Sequence, residues 1–193
     1  MIDALSAGSA GGKGQLQGYV EAMMRFARKH DEVELQKLVG WQRNMKSKGA
    51  NKEKPIRPDV SFWFPPSDVT NAAFIQNAMA CEQGNAHTQY YNMPEVEMAD
   101  KICGGHKQVT QTIRNIYDKA RAGALRATAE GVTGNPVLRV NMNISCTPGE
   151  ARNFFKRDLF NGTLGRVAFS YKARGNRDGH IPRQGEYDED FLK

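Results

Sequence analysis

The chain has 193 residues, 39% hydrophobic and 25% charged, with 27 Lys and Arg against 21 Asp and Glu for a net charge of +6. That length suits one sizeable core, or one core with an appendage, and the composition is ordinary for a globular domain. No run of 18 apolar residues occurs, which excludes a membrane-spanning helix, and the first twenty residues lack the apolar stretch of a secretory signal.

The basic balance fits a polyanionic partner, nucleic acid or nucleotide, and fits a mildly basic domain equally well. Cys81, Cys103 and Cys146 are odd in number and widely spaced, and no C-x-x-C pair occurs. Free thiols in a reducing cytoplasm are therefore expected, rather than structural zinc. The four histidines are equally scattered.

The chain opens on MIDAL, barely strand length, and then LSAGSAGGKGQL. Aligned to the phosphate-loop pattern G-x-x-x-x-G-K-[ST], residues 7–14 read AGSAGGKG. Gly12 and Lys13 stand at their required positions, Ala7 replaces the first glycine, and Gly14 replaces the hydroxyl residue. Glycines let successive N–H groups turn toward phosphate oxygens, and a lysine reaches the β and γ phosphates. The hydroxyl ordinarily ligates Mg²⁺, which Gly14 cannot do. A flexible connection is the competing reading of the same loop.

Tyr19, Ala22, Met23 and Phe26 then recur at helical spacing, so one long helix, or two with a break, is expected up to Gly49. NKEKPIRPDV is a proline-punctuated linker, and VSFWF, residues 60–64, reads as a short strand stopped by Pro65 and Pro66. SDVTNAAFIQNAMACEQG has capping residues, a helical stripe and a closing glycine. HTQYYNM is a weaker strand, followed by Pro94 and the carboxylates Glu95 and Glu97. These acids either serve metal and water beside a phosphate or open a helix, where the N-terminal dipole favours them.

Between His106 and Leu125 another apolar face marks a helix, with Arg114 after its apolar run. VLRVNMNIS alternates with period two and is the clearest strand of the chain. Asn143, Ser145 and Thr147 gather at its C-terminal end, where open α/β sheets bind ligands, or they face solvent. A short helix, ARNFFKRDLF, and a last strand, GRVAFSYK, complete the order, with Arg166 expected inside that strand beside a phosphate or a carboxylate partner. Residues 173–193 read as a polar, flexible tail, whose basic part could track a nucleic-acid backbone. Helices alternating with strands favour an α/β layer fold with a largely parallel sheet over residues 1–172.

In order and spacing, LSAGSAGGKG, NKEKPIRPDV, TNAAFIQ, MPEVE, the segment VTQTIRNIYDKARAGALRATAEGVTGNPVLR, NISCTP and NGTLGRVAFSY resemble the helicase-like P-loop proteins of bacterial mobile elements. That group carries a domain of unknown function often found beside primase modules. The resemblance implies a RecA-like P-loop NTPase core that binds ATP, with Mg²⁺, and acts on single- or double-stranded DNA as a homo-oligomer away from any membrane. It implies a phosphate cradle of Gly8, Gly11, Gly12, Lys13 and Gly14, with Glu95 or Glu97 serving metal and water. It puts Ser145 and Thr147 in a sensor position, and has Arg114 and Arg166 facing the nucleotide of the same or a neighbouring subunit. Pro94, where such enzymes often carry aspartate, and the short or missing first strand depart from the pattern. They leave a truncated, non-catalytic nucleic-acid- or protein-binding remnant of the same fold as the alternative.

Overall fold

The structure is a computed structural model that describes residues 2–7, 13–47, 54–85, 87–103, 106–123, 132–156 and 162–172. The loop glycines Gly8, Gly11 and Gly12 and the tail 173–193 lie outside the described residues. The elements in chain order are β1 (Ile2–Ala7), α1 (Lys13–Met23), α2 (Arg25–Lys46), α3 (Asn71–Gln83), β2 (Gln89–Met93), α4 (Glu97–Cys103), α5 (His106–Tyr117), β3 (Val140–Cys146), α6 (Pro148–Phe155) and β4 (Ala168–Lys172).

The four strands form one sheet in the order β2-β3-β1-β4, and each pairing is parallel. MIDAL thus begins a six-residue strand with neighbours on both sides, in place of the short or missing strand expected from its length. Ala4, the middle of β1, is 1% exposed.

Alternation along the strands gives the sheet two unlike faces. One carries Tyr91 and Met93 of β2 and Val140, Met142, Ile144 and Cys146 of β3, all buried. They pack with Phe74 and Ile75 of α3, Ile102 of α4, Ile113 and Ile116 of α5, and Phe155 of α6. Each such fully buried side chain contributes about 1.5–3 kcal/mol relative to exposure. The other face carries Asn92, Asn143 and Ser145, which are also buried. A parallel sheet is covered on both sides, and on this side the covering element is α1.

The segment 60–64 is not a strand, although it lies against the outer edge of β2, where Tyr90 N–H donates to the Trp63 carbonyl at 2.8 Å. Side chains capture its backbone donors one after another. Ser61 N–H goes to Glu34 Oε2 (3.3 Å), Phe62 N–H to Asn77 Oδ1 (2.7 Å), Trp63 N–H to Asp31 Oδ1 (2.8 Å) and Phe64 N–H to Asp31 Oδ2 (2.7 Å). Asn77 Nδ2 also donates to the Phe62 carbonyl at 2.9 Å, so one amide side chain mimics a neighbouring strand. The apolar, β-branched composition of VSFWF favoured a ladder, and buried carboxylates on α2 took its donors instead.

The helical stretch after the loop divides at Met24 into α1 and α2. The linker then returns along α2, where Trp41 Nε1 donates to the Pro55 carbonyl at 2.9 Å and Arg57 lies 5.8 Å above the Trp41 ring. Among the described residues no helix is long and apolar enough to cross a membrane.

Candidate functional site: the crevice between β1 and β3

The chain leaves β1 toward β2 on one side of the sheet order and leaves β3 toward β4 on the other. The neighbouring strands β1 and β3 therefore flank a topological switch point, the place where open α/β sheets bind ligands beyond the strands' C-terminal ends. The glycine-rich segment follows β1 in sequence, and Lys13 is the first residue of α1. The first N–H groups of a helix have no partner within the helix, and its dipole is positive there. No acidic residue occupies the first turn of α1 to neutralise it.

A chain of polar contacts holds α1 onto the polar sheet face. Gln17 Nε2 donates to Ser145 Oγ at 3.1 Å, and the Gln17 carbonyl accepts from Asn92 Nδ2 at 3.4 Å. Asn143 Nδ2 in turn donates to Asn92 Oδ1 at 3.0 Å. The start of the helix behind the glycine-rich segment is thereby tied to β2 and β3 together. Gln17 and Asn92 escaped the reading of the sequence. The available signal was Asn92, a polar residue between Tyr91 and Met93 in QYYNM.

No family model matches the chain, and no curated protein or solved structure matches it.

The expected site residues divide by their place along the strands. Ser145, the penultimate residue of β3, lies beside the switch point and is 1% exposed, with its hydroxyl accepting from Gln17. Thr147 caps α6: its hydroxyl accepts from Glu150 N–H (3.3 Å) and its own N–H donates to Glu150 Oε2 (2.6 Å), a capping box. Glu95 and Glu97 follow β2 at the same edge, both exposed, with Glu97 opening α4. β3 separates their strand from β1, so the acids follow a strand two places from β1.

Gly14 sits in the first turn of α1, exposed, and a Cβ built on it meets nothing within 4 Å. Of the groups expected to serve Mg²⁺, Glu95 and Glu97 are carboxylates, and position 14 offers no hydroxyl. Among the described residues no group of three or more His, Cys, Asp or Glu is placed to hold a metal ion.

Arg114 and Arg166 are not brought to this edge. Arg166 was expected inside the last strand, but it ends a 3-10 turn, Leu164–Arg166, that precedes β4. Since Asp3 pairs with Ala168, Arg166 is level with the start of β1, roughly 20 Å from its far end at about 3.3 Å per residue. Its partner is a carboxylate: Nη2 lies 3.3 Å from Asp118 Oδ2, and its guanidinium stands 5.6 Å from the centre of the Tyr117 ring. Arg114 lies in the last turn of α5, which runs into Tyr117 and Asp118, and its Nη2 donates to Gln111 Oε1 at 2.9 Å. A strand was expected here because Val167 and Ala168 carry the apolar pattern. The turn wins locally because Gly162, at φ +77°, lets the chain double back and accept from Arg166 Nη1 at 2.9 Å.

Proposed function

We propose that the crevice between β1 and β3 binds a nucleoside triphosphate, with its phosphates on residues 8–14 and the N-terminus of α1. The observation that carries this reading is a glycine-rich segment with Gly12 and Lys13 entering a helix at a topological switch point of a parallel sheet. Lys13 binds phosphate oxygens, and the polar clasp through Gln17 fixes the helix that carries it. Glu95 and Glu97 are the groups that would hold Mg²⁺ or orient a water; the metal when bound neutralises phosphate charge. Positioning and charge stabilisation supply most of phosphoryl-transfer catalysis.

In this reading the chain is the ATPase-type core, RecA-like in organisation, of a helicase- or primase-like replication protein of a mobile element. The net charge of +6 is compatible with a DNA partner. The test is phosphate release from ATP with and without single- and double-stranded DNA, at about 50 and 200 mM salt. DNA-stimulated turnover that fades with salt supports the reading; turnover indifferent to DNA at both salt concentrations removes DNA from it.

A second reading, a nucleotide-binding chain without turnover, is favoured by one observation. Position 14 offers no hydroxyl and Glu95 follows Pro94 on an exposed bend, so the metal ligands are few. Binding without phosphate release, whether or not DNA is added, selects it.

A further inference from the structure

The N-terminal end of the sheet's strands carries a hollow of about 760 Å³. Its walls come from residues that precede strands: Thr88 before β2, Arg139 and Asn141 around the start of β3, and Arg166 before β4. Tyr117 and Lys119, at the end of α5, close another side. The volume lies within the range of small-ligand pockets, about 300–1,000 Å³.

Its charge is one-sided. Arg166 is balanced by Asp118 at 3.3 Å. Lys119 and Arg139 have no carboxylate partner among the described residues, and Lys119 is exposed. Arg139 is half-buried, and its Nη1 is shielded from solvent with no hydrogen-bond partner among the described residues. A guanidinium N–H kept from water and left unpaired is unfavourable, and an anion arriving beside it removes that cost.

The C-terminal end of α5 would oppose an anion if its last carbonyls were bare. Instead the Arg114, Asn115 and Ile116 carbonyls accept from Asp118 N–H (2.9 Å), Ala120 N–H (2.8 Å) and Lys119 N–H (3.3 Å).

We infer that this hollow is a second anion site, which takes a small phosphorylated ligand on Arg139 and Lys119. A phosphate dianion matches two cations, and the fork of an arginine suits its oxygens. Asn141 and Thr88 supply further hydrogen-bonding groups on the wall. The site is independent of the loop crevice, which lies at the other end of the strands.

The test titrates inorganic phosphate, AMP and adenosine into the Lys13→Ala chain, so that the loop lysine contributes nothing. Saturable binding of phosphate and AMP, but not of adenosine, is expected, weakened at least tenfold by Arg139→Gln and by Lys119→Gln. Arg139→Lys, which keeps the charge and loses the fork, should fall between. Thermal melting identifies a variant that does not fold, and Lys119→Gln, at an exposed position, carries the test if Arg139→Gln is lost that way. Unchanged affinity in both glutamine variants, binding of adenosine as tight as AMP, or no binding in Lys13→Ala would each overturn the assignment.

Discussion

Gln17 and Ser145 stand 128 positions apart in sequence and are joined by a 3.1 Å hydrogen bond between Nε2 and Oγ. Through it the helix that begins at Lys13 is anchored to the C-terminal end of β3, the strand next to β1. Ser145 is buried and Gln17 half-buried, so removing one partner leaves the other partly or wholly unsatisfied, at up to about 1–3 kcal/mol. Gln17→Ala and Ser145→Ala should each lower stability by about that much, with less than additive effects in the double variant. Urea denaturation of the four proteins measures the coupling, and strict additivity would mean that the bond contributes nothing in solution.

Asn77 joins the 60–64 segment to the core, since it bonds both the N–H and the carbonyl of Phe62 and also donates to Gln89 Oε1 at 2.8 Å. Asn77→Ala strips Phe62 N–H of its acceptor, while the Phe62 carbonyl keeps Cys81 Sγ and Gln89 Oε1 keeps the Tyr91 hydroxyl as donors, so a loss of about 1–3 kcal/mol is expected. Asn77→Asp keeps the acceptor for Phe62 N–H but sets a carboxylate against the Phe62 carbonyl and Gln89. It should be destabilising near neutral pH and recover as the acid protonates. Denaturation midpoints at two pH values check both; a loss under 0.5 kcal/mol in Asn77→Ala would refute the strand-mimic role.

Gly123 and Gly134 meet where the chain segments around the Arg121–Val137 bridge come together. A Cβ on Gly123 would lie 1.7 Å from the Gly134 carbonyl oxygen, a backbone atom. On Gly134 it would instead meet the Met79 sulfur at 2.0 Å, on a side chain that can swing away. Gly123→Ala should therefore cost more than Gly134→Ala, by about 1 kcal/mol or more on the usual scale of overpacking. The reverse order in thermal melts would contradict the close approach.

Burial pushes the Cys81 and Cys103 thiols up from an ordinary value of 9.0 to about 12, with Asp31 and Asp100 respectively adding to the effect and Thr112 opposing it at Cys103. Both should resist thiol reagents at neutral pH until the chain unfolds. A folded-state value above the unfolded one favours the folded chain fully below pH 9. That contribution is lost as pH rises toward 12, because the unfolded thiols ionise first. Stability measured from pH 7 to 11 should fall along the upper part of that range; a flat profile would show that the thiols are not shielded.

Gly14 leaves open space where a hydroxyl residue would stand. Gly14→Ser should fold as the parent does and gain a few tenths of a kcal/mol from helix propensity. In the nucleotide reading it should also make binding more dependent on Mg²⁺, as seen by comparing Mg²⁺ with EDTA. A variant whose affinity depends on the metal no more than the parent's does would count against metal binding beside position 14.

Much of the framework was legible in local patterns. The alternation of VLRVNMNIS marks β3, Gly84 closes α3, and the apolar stripes mark the helices, because each depends on periodicity within a few residues. VSFWF misled because its neighbours decide its fate: Asp31 and Glu34 on α2 and Asn77 on α3 take the donors that a strand would need. MIDAL looked too short because its support comes from β3 and β4, far along the chain. For the site, Ser145 was legible from its position at a strand end. Gln17 was not, since a polar residue on a helix gives no local sign that it bridges two strands. The place of Arg166 depended on a left-handed glycine four residues earlier, which composition does not reveal.

Calorimetric titration of ATP into the parent chain and into Lys13→Ala, with Mg²⁺ and then with EDTA, tests the central claim most directly. Saturable binding in the parent, abolished in a folded Lys13→Ala, is the expected result. Equal affinity in the two proteins, or no binding by a well-folded parent, would contradict the phosphate cradle.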